Sequence, residues 1–255
     1  MSALQIQTVA PGIASVAVST DAEPHFAWTA AELATAMTGV ASDPATRVIL
    51  LEGGTTYFSA GGNKQLLVGP DAQQSVPALV AAIPRVLLDV EVPLIAVVVG
   101  HALGGGLGLA LCCDLMLLAE ESLYGANFVA LGFPPGMGST VLLAEMVGEP
   151  LAREMLFTGR VVKGRELARA SGAVAHAVLP RAGVRRRALE IAGEVAAVPR
   201  ETLVAAKRLV AGRRRAAVLA AVDAERDAQM ALLGMGQIRS RIAAVYGAPV
   251  GLEEE

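Results

Sequence analysis

Short apolar runs alternate with turn residues along the first part of the chain. LQIQTVA and IASVAVS alternate apolar with polar or small residues on either side of Pro11 and Gly12, a pattern typical of two strands joined by a turn. The sequence predicts a helix over residues 29–40, and RVILLEG at residues 47–53 is a short apolar run typical of a buried strand. The chain therefore begins as a mixture of strands and helices.

The middle of the chain continues this alternation. The sequence predicts a helix across VPALVAAIPRVLLDV, kinked or interrupted at Pro84. After it, LIAVVV predicts a buried strand, Gly104 to Gly106 a turn, LGLALCC a helix and DLMLLAE another strand. Strands and helices in this order favour an α/β protein with a largely parallel sheet.

Residues 127–140, NFVALGFPPGMGST, contain two prolines and three glycines. Such a composition predicts an ordered, irregular segment without a helix. After Thr140 the pattern becomes mostly helical, and the sequence predicts a frayed acidic tail at residues 253–255. We divide the chain into a core over residues 1–195 and a C-terminal helical region over residues 196–255.

Residues 94–113 raise the question of a membrane span, because they include no Asp, Glu, Lys or Arg. Five glycines and His101 favour a buried strand, turn and helix there instead. The N-terminus has no basic region followed by an apolar run, so we expect a cytoplasmic protein without a membrane segment. Cys112 and Cys113 are adjacent and no further Cys or His cluster completes a metal site, so we expect reduced core cysteines and no metal.

The net charge of −3 excludes a strongly basic nucleic-acid binder. The charge is uneven, since residues 181–215 contain ten Arg and Lys residues and three Glu residues. The favoured interpretation is a solvated helical face. The alternative is a docking surface for an anionic partner, such as a coenzyme phosphate or an acidic carrier protein.

Two glycine-rich loops carry the candidate chemistry. A glycine triplet in GHALGGG ends one buried strand and begins a helix, and a second loop, FSAGG, follows the preceding strand about 40 residues earlier. Two such loops can each give one backbone N–H to a single carbonyl oxygen, which makes an oxyanion hole. Lys64 lies two residues after the FSAGG loop and is one of only three lysines beside 18 arginines. A lysine there can act as a charge or as an acid, whereas on its own it would be a solvated surface residue.

The pair FSAGG and GHALGGG, followed by YGANFVALGFPPGMGST, resembles the crotonase superfamily of enoyl-CoA hydratases and isomerases from about residue 3 to the C-terminus. The resemblance implies a crotonase-like ββα spiral core with a C-terminal helical trimerisation region. It also implies an acyl thioester pocket whose two N–H donors are Ala60 and Gly105. Hydratases of this family place two glutamates where this chain has Gly108 and Phe128, and these residues cannot transfer protons.

Within that superfamily, the chain resembles the decarboxylases of polyketide β-branching cassettes, which work with an HMG-CoA-synthase-like enzyme. YFSAGGNK, with Lys64, and ANF followed by GFPPGMGST carry this resemblance. It implies decarboxylation of a 3-methylglutaconyl group held on the phosphopantetheine of an acyl carrier protein, or as a CoA thioester. No separate cofactor is implied, and the family implies a homotrimer or a dimer of trimers.

That branch carries a histidine in the C-terminal helical segment, whereas residues 203–212 here offer only Lys207 and Arg208. Either another residue delivers the proton, or the product or substrate differs. His101 lies at a strand end, and we favour a structural hydrogen-bonding role for it over a catalytic role.

Other residues of the matching motifs are expected at the pocket. Gly61 and Gly104 belong to the two loops, while Tyr57 and Asn127 are either pocket-lining residues or packing and turn residues. Phe128 and Phe133 are expected to form an apolar wall. Two alternatives to a decarboxylase stay open: a dehydratase or isomerase with relocated acid and base, and a catalytically silent protein that binds carrier proteins.

Overall fold

The computed structural model describes residues 4–169 and 177–245 of the chain. Within these residues, ten strands form two sheets, one of six strands and one of four. The strands are β1 (Gln5–Ala10), β2 (Ile13–Ala17), β3 (Val48–Glu52), β4 (Tyr57–Ser59), β5 (Leu94–Val98), β6 (His101–Leu103), β7 (Leu115–Ala119), β8 (Leu123–Gly125), β9 (Val162–Lys163) and β10 (Ala177–Leu179).

The described helices alternate with the strands and then dominate the second half, as the sequence predicts. They are α1 (Ala30–Ser42), α2 (Lys64–Val68), α3 (Ala72–Leu88), α4 (Gly105–Leu111), α5 (Phe128–Leu131), α6 (Ser139–Val147), α7 (Glu149–Thr158), α8 (Gly164–Leu167), α9 (Arg181–Ala196), α10 (Arg200–Leu233) and α11 (Gly236–Val245). The division of the chain near residue 195 stays a prediction.

The larger sheet has the strand order β1-β2-β3-β5-β7-β10. Its first two strands are antiparallel, and every other neighbouring pair is parallel. Successive side chains of β3 point to opposite faces of the sheet: Val48 and Leu50 pack in a cluster with α9, while Ile49 and Leu51 join the main core. Both faces of this sheet are therefore covered, which confirms the α/β class.

The smaller sheet has the order β4-β6-β8-β9, with β4, β6 and β8 parallel to one another. The sequence pattern did not reveal its strands, because two or three residues are too few to show an alternation. The expectation that both glycine loops follow strands of one sheet is correct, but the strands are β4 and β6 of this smaller sheet and not β3 and β5.

The predictions for helices α1 and α3 had different outcomes. Helix α1 is close to its predicted range and begins with a capping box, in which Thr29 and Glu32 bind each other's backbone N–H groups. Helix α3 is continuous through Pro77 and Pro84, so Pro84 does not interrupt it, while the predicted kink at Pro84 stays a prediction. Pro84 is buried, and packing of the whole helix outweighs the missing N–H at this position.

Residues 127–140 are mostly irregular, as predicted, although one helical turn, α5, lies within them. The carboxylate of Glu225, buried on α10, accepts hydrogen bonds from the N–H groups of Gly138 and Thr140 and from the Thr140 hydroxyl. Gln229, one turn later, donates to the carbonyl oxygens of Pro134 and Pro135. Helix α10 therefore supplies the partners that this irregular backbone lacks.

Residues 94–113 form β5, β6 and α4, which confirms the strand, turn and helix. Among the described residues, no helix is both long enough and apolar enough to cross a membrane. Cys112 and Cys113 are free and buried, and burial raises the pKa of Cys112 to about 12. Both thiols are therefore protonated core groups at neutral pH.

Candidate active site

The two glycine loops meet in space. Tyr57 of β4 pairs with His101 of β6, so the loops that follow these parallel strands emerge side by side. A Cβ placed on Gly61 would lie 2.9 Å from the backbone nitrogen of Gly105. Only a residue without a side chain permits this approach, and Gly61 also has a φ of 75°. The predicted juxtaposition of FSAGG and ALGGG is confirmed.

A cavity of about 590 Å³ opens against these loops, a volume typical of small-molecule sites. Seven of the predicted site residues line this cavity, namely Tyr57, Ala60, Gly104, Gly105, Asn127, Phe128 and Phe133. The other three, Gly61, Lys64 and His101, are not among its lining residues. Further walls come from the segment before α1, from α2 and α3, and from Leu103 and Leu131.

Gly105 presents the clearest donor to the cavity. It is the first residue of α4, where backbone N–H groups have no partner within the helix. Its N–H has no acceptor among the residues that the structure describes. The preceding Gly104 has a φ of 54°, which turns the chain from β6 into the helix. Gly105 is thus placed where a donor is needed, and its role in an oxyanion hole stays a prediction.

The donor role predicted for Ala60 needs correction. Its N–H donates to the carbonyl oxygen of Pro24 at 2.8 Å, and an amide has a single hydrogen to donate. Ala60 still lines the cavity, as does Gly62 two residues later. The pairing of this loop with the segment before α1, which the sequence did not reveal, takes up the Ala60 group.

Gly108 and Phe128 stand at the positions where hydratases of the family have glutamates. Phe128 and Phe133 are buried with ring centroids 5.8 Å apart in an edge-on contact, which confirms the predicted apolar wall. A Cβ on Gly108 would come 2.5 Å from the Cβ of the buried Met137. Of the described residues that line the cavity, none is Asp or Glu. This wall offers no carboxylate to activate water.

Lys64 lies at the first position of α2, just after Asn63, whose side chain caps the helix. Its side chain is exposed and forms no ion pair within the described residues. Gly62 and Leu66, two residues to either side, line the cavity. The lysine is thus close to the cavity in sequence, and its catalytic role stays a prediction.

His101 has the structural role that we favoured from the sequence. Its Nδ1 accepts a hydrogen bond of 3.0 Å from the Leu123 N–H. Its ring meets the Tyr57 ring edge-on at 5.2 Å between centroids. Burial, and to a smaller degree the charge of Arg181, lowers the pKa of His101 below its ordinary value. The neutral ring is the form that accepts this hydrogen bond.

His25 is a cavity residue that sequence reasoning missed. It lies between Pro24 and Phe26 in the segment that pairs with the FSAGG loop, and all three line the cavity. Burial lowers the pKa of His25 below its ordinary value, and the Glu23 carboxylate partly opposes this shift. The available signal was the rarity of histidine, since the chain has three.

The basic residues between positions 181 and 215 are largely paired within the chain. All of them except Arg213 have a hydrogen bond or an ion pair to another described residue. Lys207, only 9% exposed, binds Asp114 at 2.8 Å and the Val92 carbonyl at 2.9 Å. These contacts hold helices onto the sheet, so Lys207 is not available as a substitute for the missing histidine.

A larger and more open cavity of about 1090 Å³ lies on the other side of Phe133. Its walls come from α5, α6, α7, α10 and α11. The glycine loops do not contribute to it, so the chemistry described above belongs to the smaller cavity.

The family model for enoyl-CoA hydratase/isomerase matches residues 26–242. The chain belongs to the enoyl-CoA hydratase/isomerase family. The fold is accordingly the crotonase fold that the loop motifs indicated, with a sheet core and a long C-terminal helix.

Similar proteins of this family include a decarboxylase and hydratases. The chain is 32% identical over 209 residues to the bacillaene synthase decarboxylase PksI of Bacillus subtilis (strain 168), covering 82% of each chain. It is 36% identical over 138 residues to the crotonyl-CoA hydratase of Syntrophomonas wolfei, covering 53% of each.

Solved structures show the same resemblance over nearly the whole chain. A structure from a dehydratase/decarboxylase enzyme couple of polyketide β-branching has a TM-score of 0.85 and 29% identity, with 97% of this chain and 100% of that chain covered. The ECH2 decarboxylase domain of CurF from Lyngbya majuscula has a TM-score of 0.83 and 28% identity, with 95% and 99% covered. The resemblance to β-branching decarboxylases is thus confirmed.

Proposed function

We propose that this crotonase-family protein decarboxylates a 3-methylglutaconyl-type thioester carried on an acyl carrier protein. The proposal is supported by the cavity that the Gly105 N–H borders, because none of the described residues that line it is Asp or Glu. A hydratase needs groups that activate and protonate water. A decarboxylase needs a place for a developing oxyanion but no general base.

The reaction places negative charge on the thioester oxygen. The bond between the departing carboxylate and the γ carbon breaks, and its electrons pass through the double bond to the carbonyl. The Gly105 N–H is positioned to stabilise that oxygen, a contribution of about 3 kcal/mol by analogy with other oxyanion holes. The loop with Ala60 and Gly62 forms the adjoining wall.

Lys64 is proposed to hold the carboxylate of the substrate. Its side chain is exposed and forms no ion pair with any residue that the structure describes. Its ammonium is therefore available to the substrate carboxylate. The lysine lies two residues after the FSAGG loop, at the start of α2, whose Leu66 and Leu67 line the cavity. A carboxylate that extends from the acyl group toward this loop would meet the ammonium.

The proposed substrate is attached to an acyl carrier protein. Two similar proteins belong to polyketide β-branching or to bacillaene synthase, and such acyl groups are handled on carrier proteins. The cavity wall is mainly apolar, with Leu66, Leu79, Val80 and Leu131. It suits a short branched acyl chain at the end of a phosphopantetheine arm.

Intact-protein mass spectrometry of a 3-methylglutaconyl carrier protein, before and after incubation with the enzyme, tests the proposal. We expect the loss of one CO₂ with the wild type and at least a tenfold slower loss with Lys64→Ala. Lys163→Ala is the matched control, because Lys163 is also exposed but lies on β9, away from the cavity-lining residues. No change in mass with the wild type contradicts the proposed function.

The same assay separates the other enzymatic candidate. A hydratase or isomerase, the activity of several relatives such as the crotonyl-CoA hydratase, would add water or move the double bond of a crotonyl thioester. Gly108 and Phe128, packed against Met137 and Phe133, leave no acid at the hydratase positions. We therefore expect neither water addition nor double-bond migration.

A further inference from the structure

Decarboxylation leaves a dienolate that must take up one proton. The cavity wall limits which side chains can supply it, because the titratable side chains among its described lining residues are those of His25 and Tyr57. Lys207 is committed to Asp114, and His101 accepts a hydrogen bond outside the lining set. Lys64 also lies outside the lining set and is assigned above to the substrate carboxylate.

The backbone fixes His25 beside the glycine loops. The Pro24 carbonyl accepts from the Ala60 N–H at 2.8 Å, and the Phe26 N–H donates to the Gly61 carbonyl at 2.9 Å. His25 lies between these two hydrogen bonds. The Phe26 ring in turn covers Gly105, since a Cβ on Gly105 would be 3.0 Å from the Phe26 Cε2. The segment carrying the histidine thus touches both loops of the proposed oxyanion site.

The imidazole is available to a ligand. Its ring nitrogens have no hydrogen-bond partner within the described part of the chain, and the residue is half-buried on the cavity wall. On the adjoining loop, the Ala60 N–H and the Gly61 carbonyl are engaged with the Pro24–Phe26 backbone, and the Gly61 N–H donates to the Ser59 hydroxyl. A half-buried ring without a protein partner, on the wall of a ligand cavity, is suited to contact the substrate.

We propose that His25 is the acid that protonates the dienolate, an inference that rests on the proposed decarboxylation. In this step the imidazolium N–H bond breaks and a carbon–hydrogen bond forms at one end of the dienolate. The carbonyl of the thioester is restored, and a neutral imidazole remains, which regains its proton from water. No oxidant, reductant or further reactant is needed.

Burial and the Glu23 carboxylate set the protonation of His25 in the free enzyme. Burial lowers its pKa, and Glu23 is the charged side chain that acts in the opposite direction. Tyr57 shares the cavity, and the residues of α3, α4 and α5 that line it are uncharged. In the free enzyme the ring is therefore mostly neutral at pH 7, while a bound substrate carboxylate favours the imidazolium. The kcat/KM should fall as the pH rises through the lowered pKa of the free enzyme.

The test compares His25→Gln with wild type by product formation, pH profile and product analysis. For the variant we expect product formation slower by about 100-fold, within the range of lost acid catalysis. We also expect a mixture of the two double-bond isomers, because water then protonates either end of the dienolate. The fall of kcat/KM toward high pH should disappear, and added imidazole should restore part of the rate to His25→Ala.

Glu23→Gln keeps the histidine and tests the same assignment without altering the wall. Loss of this carboxylate should move the fall of kcat/KM to lower pH and leave the product isomer unchanged. This variant stays informative even if both His25 variants fold poorly, which thermal unfolding would show. A pH profile that does not move in Glu23→Gln would count against His25.

The failure of this inference is distinguishable from failure of the proposed function. A wild type that releases no CO₂ refutes the function itself. A wild type that releases CO₂, beside a folded His25→Gln with the same rate, isomer and pH profile, overturns the role of His25 alone. The same holds if Tyr57→Phe, and not His25→Gln, produces the mixture of isomers.

Discussion

At the residue scale, the candidate site depends on what is missing as much as on what is present. Gly61 and Gly105 have no side chain, so two backbone segments and the Phe26 ring can approach one another closely. Gly108 leaves room for Met137 where relatives place an acid. The absence of side chains at these three positions permits close packing around the start of α4, where Gly105 lines the cavity.

Substitution of Gly105 tests this arrangement. In Gly105→Ala the new methyl group would be 3.0 Å and 3.1 Å from two Phe26 ring atoms. The ring or helix α4 must shift, and a displacement of a fraction of an ångström at an oxyanion donor should lower kcat about 10-fold to 100-fold.

The control is Gly39→Ala, at an exposed position of α1 where a Cβ meets nothing within 4 Å. It should preserve activity and raise the free energy of unfolding by about 0.5 to 1 kcal/mol, since alanine is a better helix former. Equal activity of the two variants in a steady-state assay would show that Gly105 tolerates a side chain.

At the element scale, α10 organises the region behind the cavity. It packs on α3 and α6, and its Glu225 and Gln229 bind the backbone of residues 134–140. The same irregular stretch begins at Phe133, which lines the cavity. A helix far along the chain therefore holds one wall of the site in place.

Glu225→Gln should lower the free energy of unfolding by about 1 to 3 kcal/mol, because one buried acceptor is replaced by a donor that faces N–H groups. Exposed Glu201→Gln on the same helix should have little effect. Urea unfolding at constant pH measures both. A Glu225→Gln variant as stable as wild type would mean that the contact contributes little.

The pH dependence of Glu225 has a definite sign. Burial raises the pKa of this carboxyl above its ordinary value, despite hydrogen bonds that lower it. The folded protein then binds more protons than the unfolded chain between the two pKa values. Wild-type stability relative to Glu225→Gln should decrease as the pH rises through that interval and become constant above it. Urea unfolding of both proteins across the acidic range checks this difference.

An ion pair also holds α10 against the end of the larger sheet. Lys207 and Asp114 form a mostly buried pair, 9% and 25% exposed, so Lys207→Ala leaves a carboxylate partly desolvated and should cost about 2 kcal/mol. Arg208→Ala removes the neighbouring exposed pair with Glu91 and should cost under about 0.5 kcal/mol. Thermal unfolding of both variants should show the difference.

At the scale of the whole molecule, large apolar side chains are exposed on the helical half of the chain. Phe157 is 82% exposed, and Leu209 and Val210 are 84% and 82% exposed. Leu209 and Val210 are adjacent on α10, and contiguous exposed apolar groups are typical of surfaces that another chain covers. We propose that copies of this chain cover them in the trimer that the family resemblance implies.

Light scattering coupled to gel filtration tests the assembly. We expect a mass three or six times the 26.1 kDa of a single chain. The measurement should be repeated over a range of protein concentrations, since a weak assembly dissociates on dilution. A mass equal to one chain at every concentration would contradict the expected trimer.

The sequence by itself determined the fold class, the glycine loops and the absence of acids at the hydratase positions. These features are local: apolar runs such as Val48–Glu52 specify buried strands, and a glycine or phenylalanine excludes proton transfer wherever it lies. Residues such as Gly105 and Phe128 could be placed at the site because the motif around each is contiguous.

Only the tertiary structure decided which further side chains border the cavity and which predicted ones do not. His25 lies 36 positions before Gly61 and reaches the site through a backbone pairing that has no signal in either segment. The same pairing engages the Ala60 N–H, while the position of Lys64 at the start of α2 leaves its side chain exposed. Contacts between distant segments depend on how the sheets and helices pack, which the pattern of one segment cannot specify.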